Sequence, residues 1–333
     1  MNNESELMVT LKNIIEKRGK EALEKAQKEI LSLPYDGGIV QKALRHFARV
    51  TLRGALPVFP ALISLSCEAA GGKTEKKVSI GAAMTLIAAA ADVHDDVIDK
   101  SVVKGSKPTV FGKFGKDIAI LVGDALLIQG LMLLHKECES LAKSQREIIL
   151  DLVSHASFEI SHAEAIETKL RRKFDLQPQE YFEIIKMKAV VPEIHSRIGA
   201  ILGNGDARTV EILGHYGRTF GILSTIREEF IDLLEYPEFQ NRLRNECLPL
   251  PMIYALQNLK TKTTISPFLE NEKVDKRSFI KMTEIVMDSQ EVQELKEKMN
   301  SMVREEVKRL TTIKNLETRE ELEITMRAMM ENL

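Results

Sequence analysis

Apolar residues recur along most of the chain at the spacing of one face of an α-helix. Near the amino terminus, Leu7, Leu11, Ile14 and Ile15 follow an i, i+4, i+7, i+8 pattern, and similar stretches come later. Alternation of apolar and polar positions, which marks a half-buried strand, is not found over any comparable length. The pattern therefore predicts an all-α protein, a bundle of roughly ten or more helices.

Composition and charge limit the class of protein. The chain has 333 residues, of which 44% are hydrophobic and 29% are charged, as is typical of a soluble globular protein. No proline-, serine- or glycine-rich linker divides it, so we predict a single domain over residues 1–333. The formal net charge of −2 gives no reason to expect a nucleic-acid partner. Cys67, Cys138 and Cys247 lie far apart, which argues against a disulfide framework or a zinc site.

Two further features concern the location of the protein. The first ten residues are polar and acidic, unlike a signal peptide. The longest largely apolar stretch, residues 80–91, is shorter than the ~20 residues that a membrane span needs. We therefore predict a cytoplasmic protein with no stable membrane insertion.

A first cluster of carboxylates comes directly after this apolar stretch. Residues 82–99 read AAMTLIAAAADVHDDVID, so a helix of small and apolar residues leads into Asp95, Asp96 and Asp99. An i, i+1, i+4 spacing lets the three side chains share one side of a helix. Carboxylates arranged in this way suit Mg²⁺, which takes one or two of them together with phosphate oxygens and waters. The alternative at this point is a solvated acidic turn.

A second cluster has the same spacing far downstream. Glu228, Glu229 and Asp232 lie within residues 216–235, which read YGRTFGILSTIREEFIDLLE. Two such clusters facing each other in a helical bundle would hold several Mg²⁺ ions around one polyanion. The alternative is a charged helix surface with Arg227 as an ion-pair partner.

The two clusters and several shorter motifs resemble the trans-isoprenyl diphosphate synthases, also called the polyprenyl synthetase family, over residues 54–255. DDVID at 95–99 is similar to the family's first aspartate-rich motif, and His94 precedes it as is common there. The other similar segments are KPT at 107–109, AILVGDALL at 119–127, AEAIE at 163–167, MKA at 187–189, YGR at 216–218 and REEFID at 227–232. The resemblance implies a fold in which helices surround a central cavity, Mg²⁺ as cofactor and a dimeric assembly.

The resemblance also implies roles for individual residues. Asp95, Asp96 and Lys188 are expected to be catalytic, and Lys104, Lys188 and Arg227 to bind the diphosphate of an allylic prenyl substrate. The expected metal ligands are Asp95, Asp96, Asp99, Glu228, Glu229 and Asp232. Ala90, Ala91 and His94 are expected to line the substrate channel. Because alanines at these positions leave room for a long chain, we predict a substrate of farnesyl size or greater; the alternative is close helix packing.

The chain departs from the family where isopentenyl diphosphate is expected to bind. The family's GGKRLRP is matched by GALPVFP, so Leu56, Pro57 and Phe59 replace a lysine and two arginines. In the family's RRGKPT, the first two positions become Lys104 and Gly105. Each lost charge-assisted hydrogen bond costs about 1.5–3 kcal/mol. We therefore predict that isopentenyl diphosphate binds weakly or not at all.

These residues support three functional hypotheses. The first is an enzyme that ionises a long allylic prenyl diphosphate and passes the cation to water, an internal double bond or another acceptor. The second is a conventional chain-elongating synthase in which Arg45, Arg49 or Arg53 replaces the lost cations after a shift of helix register. The third is a non-catalytic subunit that modulates an active paralogue. The assembly is accordingly a homodimer or a heterodimer with a paralogous synthase.

Overall fold

The computed structural model describes residues 5–32, 37–105, 107–269, 274–331 and 333. These residues form sixteen α-helices, one short hairpin and three short π- or 3₁₀-helical segments, which confirms the all-α prediction. The helices are α1 Glu6–Leu31, α2 Ile39–His46, α3 Val58–Ala69, α4 Lys76–Ile98, α5 Val110–Phe114, α6 Lys116–Cys138, α7 Lys143–Leu170, α8 Pro178–Lys188, α9 Val190–Leu202, α10 Ala207–Leu234, α11 Tyr236–Asn245, α12 Leu250–Ala255, α13 Leu259–Leu269, α14 Lys276–Met287, α15 Gln290–Leu310 and α16 Leu316–Arg327.

The chain divides into two compact units, each built from three segments. Unit 1 comprises Met1–Leu152, Ile194–Gly214 and Ile313–Leu322. Unit 2 comprises Val153–Glu193, His215–Thr312 and Glu323–Leu333. The single domain over residues 1–333 stays a prediction.

In unit 1, helix α4 packs most extensively against α6 and also against α1 and α3. Small residues allow this close approach. A Cβ atom placed at Gly130 of α6 would lie 2.8 Å from the side chain of Ile87 and 3.1 Å from the carbonyl oxygen of Ala83. Gly130 thus lets α6 pack closely against α4 at Ala83 and Ile87.

A short hairpin comes after the end of α4. Lys100 has a left-handed backbone (φ +57°) that turns the chain out of the helix. Strands β1 (Val103–Lys104) and β2 (Lys107–Pro108) pair antiparallel, with Lys104 opposite Lys107. Strands of two residues are too short to leave an alternating pattern, so the sequence did not predict them.

Thr109 anchors this hairpin. Its hydroxyl donates a hydrogen bond to the Ser101 carbonyl oxygen (2.7 Å) and accepts one from the Gly112 amide (2.9 Å), which caps α5. A Cβ at Gly112 would lie 2.0 Å from the Val102 carbonyl oxygen. The family-like KPT segment therefore holds the residues after α4 in place.

A π-helical turn, Phe47–Thr51, continues α2 and leads into a 3₁₀ turn, Leu52–Gly54. Gln27 donates to the carbonyl oxygen of Ala48 in this turn (2.8 Å), while the side chain of Arg49 is exposed. A π-turn holds one residue more than an α-helical turn and thus changes the register of the residues after it.

In unit 2, the short helix α12 is surrounded by α8, α14 and α15. Five of its six residues, including Leu250, are buried. Pro178 and a reciprocal capping interaction between Gln177 and Glu180 start α8. Phe239 of α11 packs on Phe279 of α14 with ring centroids 5.4 Å apart. This packing positions the side chains of the second cluster.

Two helices in the described part of the chain, α4 and α6, are long and apolar enough to cross a membrane by length and composition. The bent pair of segments 39–54 and 58–69 would make a third such span if it counted as one. The prediction of no stable membrane insertion, which rested on residues 80–91, therefore stays a prediction.

Candidate active site

The first cluster, Asp95, Asp96 and Asp99, occupies the last turn of α4. Asp96 is only 4% exposed, whereas Asp95 and Asp99 are half-buried. Lys104 of β1 reaches back to this turn, with its Nζ 2.9 Å from Asp96 Oδ1 and 2.5 Å from Asp92 Oδ1. The structure thus brings the predicted diphosphate ligand Lys104 to the first cluster.

The pKa values of Asp96 and Lys104 are both raised, for different reasons. Burial raises the pKa of Asp96 to about 6, although the Lys104 ammonium opposes the shift. Burial also acts against the charge of Lys104, but Asp92 and Asp96 outweigh it and raise the pKa of Lys104 above its usual value. Lys104 is therefore a permanent cation at this site.

His94 packs against α6 instead of joining the carboxylates. Its Nε2 lies 3.3 Å from Asp124 Oδ1 and 3.4 Å from the Ile120 carbonyl oxygen. A Cβ at Gly123 would come within 2.3 Å of His94 Nε2. The Gly-Asp pair of AILVGDALL therefore provides both the space and a partner for the imidazole.

The two alanines predicted to line a channel differ in their surroundings. Ala90 is 1% exposed within the packing of α4, while Ala91 faces solvent. Their part in a substrate channel stays a prediction.

The first cluster fits Mg²⁺ by the chemistry of its oxygen donors. Among the described residues, no three acidic, histidine or cysteine side chains are arranged to hold an ion by themselves. Mg²⁺ bound with a phosphate substrate needs only one or two protein carboxylates, because phosphate oxygens and waters complete its shell. Asp95, Asp96 and Asp99 meet that need on one helical turn.

The second cluster, Glu228, Glu229 and Asp232 of α10, is arranged differently. Glu229 is 2% exposed and turned into unit 2. Its Oε1 accepts a hydrogen bond from the Tyr181 hydroxyl (3.1 Å), and its Oε2 accepts one from the Leu250 amide (2.8 Å). Burial raises the pKa of Glu229. Glu228, by contrast, is exposed.

Arg242 of α11 joins the acids of this cluster. Its Nη2 lies 2.8 Å from both Glu229 Oε1 and Asp232 Oδ2, and its Nε donates to Asp232 Oδ2 at 2.9 Å. Glu246 lies 3.7 Å away. Burial opposes the charge of Arg242, but its acidic partners raise its pKa well above the usual value. The guanidinium is thus fixed between the carboxylates.

Lys188, predicted to be catalytic, contacts two acids of α7. Its Nζ lies 2.8 Å from Glu164 Oε1 and forms a second, shorter ion pair with Glu167. Glu167 also accepts a hydrogen bond from the Tyr181 hydroxyl (3.0 Å), so Tyr181 links the Lys188 pair to Glu229. Burial would raise the pKa of Glu167, but Lys188 lowers it below the usual range.

The side chain of Arg227, also predicted to bind diphosphate, contacts backbone carbonyl groups near the carboxyl end of the chain. Its Nη1 donates to the carbonyl oxygen of Glu331 (2.5 Å) and lies 3.5 Å from that of Met329. The diphosphate-binding roles of Lys104, Lys188 and Arg227 and the metal-ligand roles of the six carboxylates stay predictions.

Four side chains at these sites had no role assigned from the sequence: Asp92, Asp124, Tyr181 and Arg242. The sequence could have indicated Asp92 and Asp124, since both are acids within the segments 82–99 and 119–127. Arg242 had a weaker indication, an i, i+4 pairing with Glu246. No local sequence pattern indicates Tyr181, because its partners Glu167 and Glu229 come from other segments of the chain.

A model of the polyprenyl synthetase family matches residues 41–286, which include the motif-bearing region 54–255. A geranylgeranyl diphosphate synthase of Sulfolobus acidocaldarius is 26% identical over 200 residues, covering 60% of this chain and 61% of that protein. A geranylfarnesyl diphosphate synthase of Methanosarcina mazei is 26% identical over 243 residues, covering 72% and 78%. The chain therefore spans less than two thirds of the first relative's length.

The crystal structure of a geranylgeranyl pyrophosphate synthetase from Pyrococcus horikoshii is similar in fold. The TM-score is 0.84 at 22% identity, and the alignment covers 99% of this chain and 100% of that one. An identity this low shows the fold alone, whereas the family model covers well over half of the sequence and its motifs. The chain belongs to the polyprenyl synthetase family.

Proposed function

We propose that this protein is a Mg²⁺-dependent enzyme that binds and ionises an allylic prenyl diphosphate and makes little or no use of isopentenyl diphosphate. The relatives above are named as prenyl diphosphate synthases, which supports the class of substrate. The observation that supports the weak use of isopentenyl diphosphate is the surroundings of Phe59, which the resemblance aligns with an arginine of the family.

The first cluster and Lys104 provide the allylic diphosphate site. Asp95, Asp96 and Asp99 would hold Mg²⁺, which supplies positive charge that stabilises a departing diphosphate. Lys104 of β1 adds an ammonium next to this turn, where its ion pairs with Asp92 and Asp96 keep it beside the carboxylates. Asp92 and Asp96 position this ammonium, so it can meet a phosphate oxygen without first being recruited from solvent.

The residues that the resemblance aligns with the family's basic motif contact an aromatic ring and backbone groups in this chain. The ring of Phe59 stacks on His195, with centroids 4.9 Å apart. Pro57 is buried, and a Cβ at Gly19 of α1 would lie 2.3 Å from the Pro57 carbonyl oxygen. Leu56 is exposed. A diphosphate bound without metal needs several cations, and these positions supply an aromatic stack and tight backbone packing instead.

Small side chains before the first cluster support a long substrate chain. An Ala91→Phe variant should shorten the preferred allylic substrate, because Ala91 faces solvent and can accept a larger side chain without overpacking the core. Relative rates with geranyl, farnesyl and geranylgeranyl diphosphate measure the effect. An unchanged order of preference in Ala91→Phe would reject the channel assignment.

A second candidate function, chain elongation with a rewired basic site, is favoured by the π-turn. The side chains of Arg49 and Arg53 are exposed there. Lys107 Nζ donates to the carbonyl oxygen of Val50 at 3.2 Å, which adds a third cation to this segment. If this segment bound isopentenyl diphosphate, an Arg49→Gln, Arg53→Gln double variant would lose elongation and keep ionisation.

Mass spectrometry of the products decides between the two functions. The purified protein is incubated with Mg²⁺ and farnesyl or geranylgeranyl diphosphate, with and without isopentenyl diphosphate, and an Asp95→Asn variant serves as the control. We expect alcohols or hydrocarbons in both reactions. Longer diphosphates that form only with isopentenyl diphosphate would reject the first proposal and favour the second. No turnover by the wild type would favour the role of a non-catalytic partner subunit.

The dimeric assembly is proposed on the exposed face of α6. Leu121, Ile128 and Met132 repeat at helical spacing on this face and are 50%, 61% and 60% exposed. A second copy of the chain, or a paralogous synthase, would cover them. Ile128→Glu should lower the molar mass measured by light scattering, while Leu259→Glu, at another exposed leucine, should not. A cytoplasmic location remains a prediction from composition.

A further inference from the structure

The second cluster presents few oxygens to a metal ion. A carboxylate has about four lone-pair sites, and each one that a nearby donor uses leaves fewer for a Mg²⁺ ion. Both oxygens of Glu229 accept hydrogen bonds within unit 2, from the Tyr181 hydroxyl and the Leu250 amide. Asp232 Oδ2 receives two nitrogens of Arg242. Glu228 is the one member of the cluster that is exposed.

Arg242 supplies the charge that these acids require. Its side chain is 12% exposed and lies within 4 Å of Glu229, Asp232 and Glu246. A guanidinium stays protonated at all relevant pH values and holds carboxylates through a planar fork of donors. Such a cation is part of the fold, whereas a metal ion exchanges with solvent.

The glutamate at position 229 is explained by the same contacts. Its carboxylate reaches both the Leu250 amide, at the start of α12, and the Nη2 of Arg242. An aspartate is shorter by one methylene, roughly 1.5 Å by ordinary bond lengths, and would fall short of at least one of these donors. The inner contacts therefore need the length of a glutamate at position 229.

We infer that Arg242 is the resident cation of the second cluster and that divalent metal binds this protein at the first cluster alone. The statement about the first cluster rests on the proposed function. The statement about Arg242 rests on the contacts within unit 2.

A count of bound Mn²⁺ tests both statements. Electron paramagnetic resonance measures free Mn²⁺ during titration of the full-length protein with one equivalent of inorganic diphosphate, and a titration without protein corrects for the Mn²⁺ that diphosphate itself holds. The matched variants are Asp96→Asn in the first cluster and Asp232→Asn in the second. Asp96→Asn should lose bound Mn²⁺ or weaken its binding at least tenfold. Asp232→Asn should bind the same number of ions as the wild type, with affinity within twofold.

A loss of one bound ion in Asp232→Asn would overturn the inference. Unchanged Mn²⁺ binding in Asp96→Asn would overturn the proposed metal site at the first cluster. The role of Arg242 would then be tested by the variant Arg242→Gln. Arg242→Gln removes the cation but keeps a polar side chain, and it should gain Mn²⁺ binding, because Glu229 and Asp232 lose their partner. A folded Arg242→Gln protein with no added ion would show that the guanidinium is not what excludes metal. If Arg242→Gln does not fold, Glu228→Gln decides together with Asp232→Asn: it should bind as many Mn²⁺ ions as the wild type, and a lost ion would overturn the inference.

Discussion

The two carboxylate clusters have the same i, i+1, i+4 spacing on apolar helices, yet their surroundings differ. In α4, the buried Asp96 is met by Lys104, whose side chain is half-exposed and is shared with Asp92. In α10, the buried Glu229 is met by Arg242, whose side chain is nearly buried and is shared with Asp232. Spacing therefore places the acids on a helix, while a residue outside the motif decides what they bind.

The chemistry of the two cations accounts for the difference. An ammonium on a flexible stem is a point charge that can leave one oxygen and approach a phosphate. A guanidinium with two carboxylates in its fork is held by geometry as well as charge. The first cluster can therefore exchange partners when a ligand binds, whereas Glu229 and Asp232 of the second cluster cannot do so without breaking a buried network.

The largest expected effect is on turnover. Asp96→Asn should lower the rate of diphosphate release from geranylgeranyl diphosphate by about 10³-fold, because several kcal/mol of charge stabilisation are lost with the metal. Asp232→Asn should lower it by about tenfold or less, because it perturbs only the internal network. Initial rates measured with a phosphate-detection assay after pyrophosphatase give both values. Equal losses in the two variants would abolish the distinction between the clusters.

The next effect is on stability. Arg242→Met should lower the free energy of unfolding by about 3–5 kcal/mol, since it leaves the buried Glu229 without its cation. Lys104→Met should cost less, about 1–3 kcal/mol, because it leaves the buried Asp96 without its partner but water reaches the half-exposed position of the ammonium. Urea unfolding followed by circular dichroism measures both. A Lys104→Met variant as unstable as Arg242→Met would mean that the two cations are equally structural.

A glycine that supports the first cluster gives a smaller effect. Gly112→Ala should destabilise the protein by about 1–3 kcal/mol, because the added Cβ meets the Val102 backbone at 2.0 Å and displaces the hairpin that carries Lys104. Gly38→Ala is the control, since a Cβ there meets nothing within 4 Å. Thermal unfolding measures both changes. Similar melting temperatures for the two variants would contradict the close packing of the hairpin.

The smallest expected effect is a difference in stability between variants of the two adjacent glutamates of α10. Glu229→Asp should cost about 1–2 kcal/mol of unfolding free energy, because the shortened side chain leaves a buried donor unsatisfied. Glu228→Asp should change the stability by less than about 0.5 kcal/mol, since the position is exposed. Urea unfolding of the two variants gives both values. If Glu229→Asp matched Glu228→Asp, the length of the side chain would not matter.

Local patterns predicted much of the fold. Helical spacing and the alanine run identified α4 and the position of Asp95, Asp96 and Asp99 near its end. The hairpin of strands β1 and β2 was not predicted, because its strands have two residues each. The features that were predicted depend on period and composition, which a single sequence displays.

The partners of the site residues were harder to predict. Lys188 was expected to meet a diphosphate, and it lies between Glu164 and Glu167. Tyr181 joins that pair to Glu229, forty-eight residues away. Long-range contacts of this kind arise from tertiary packing, which helical period and local charge do not encode.

The π-turn at Phe47–Thr51 determines how a single-codon deletion would change the orientation of the residues that follow it. A π-turn differs from an α-helical turn by one residue, and one residue corresponds to about 100° of rotation along a helix. An in-frame deletion of a single codon there would convert it to an ordinary turn and would swing Arg53 around the axis of α2. One mutational event can thus redirect a basic segment that several substitutions would otherwise have to rebuild.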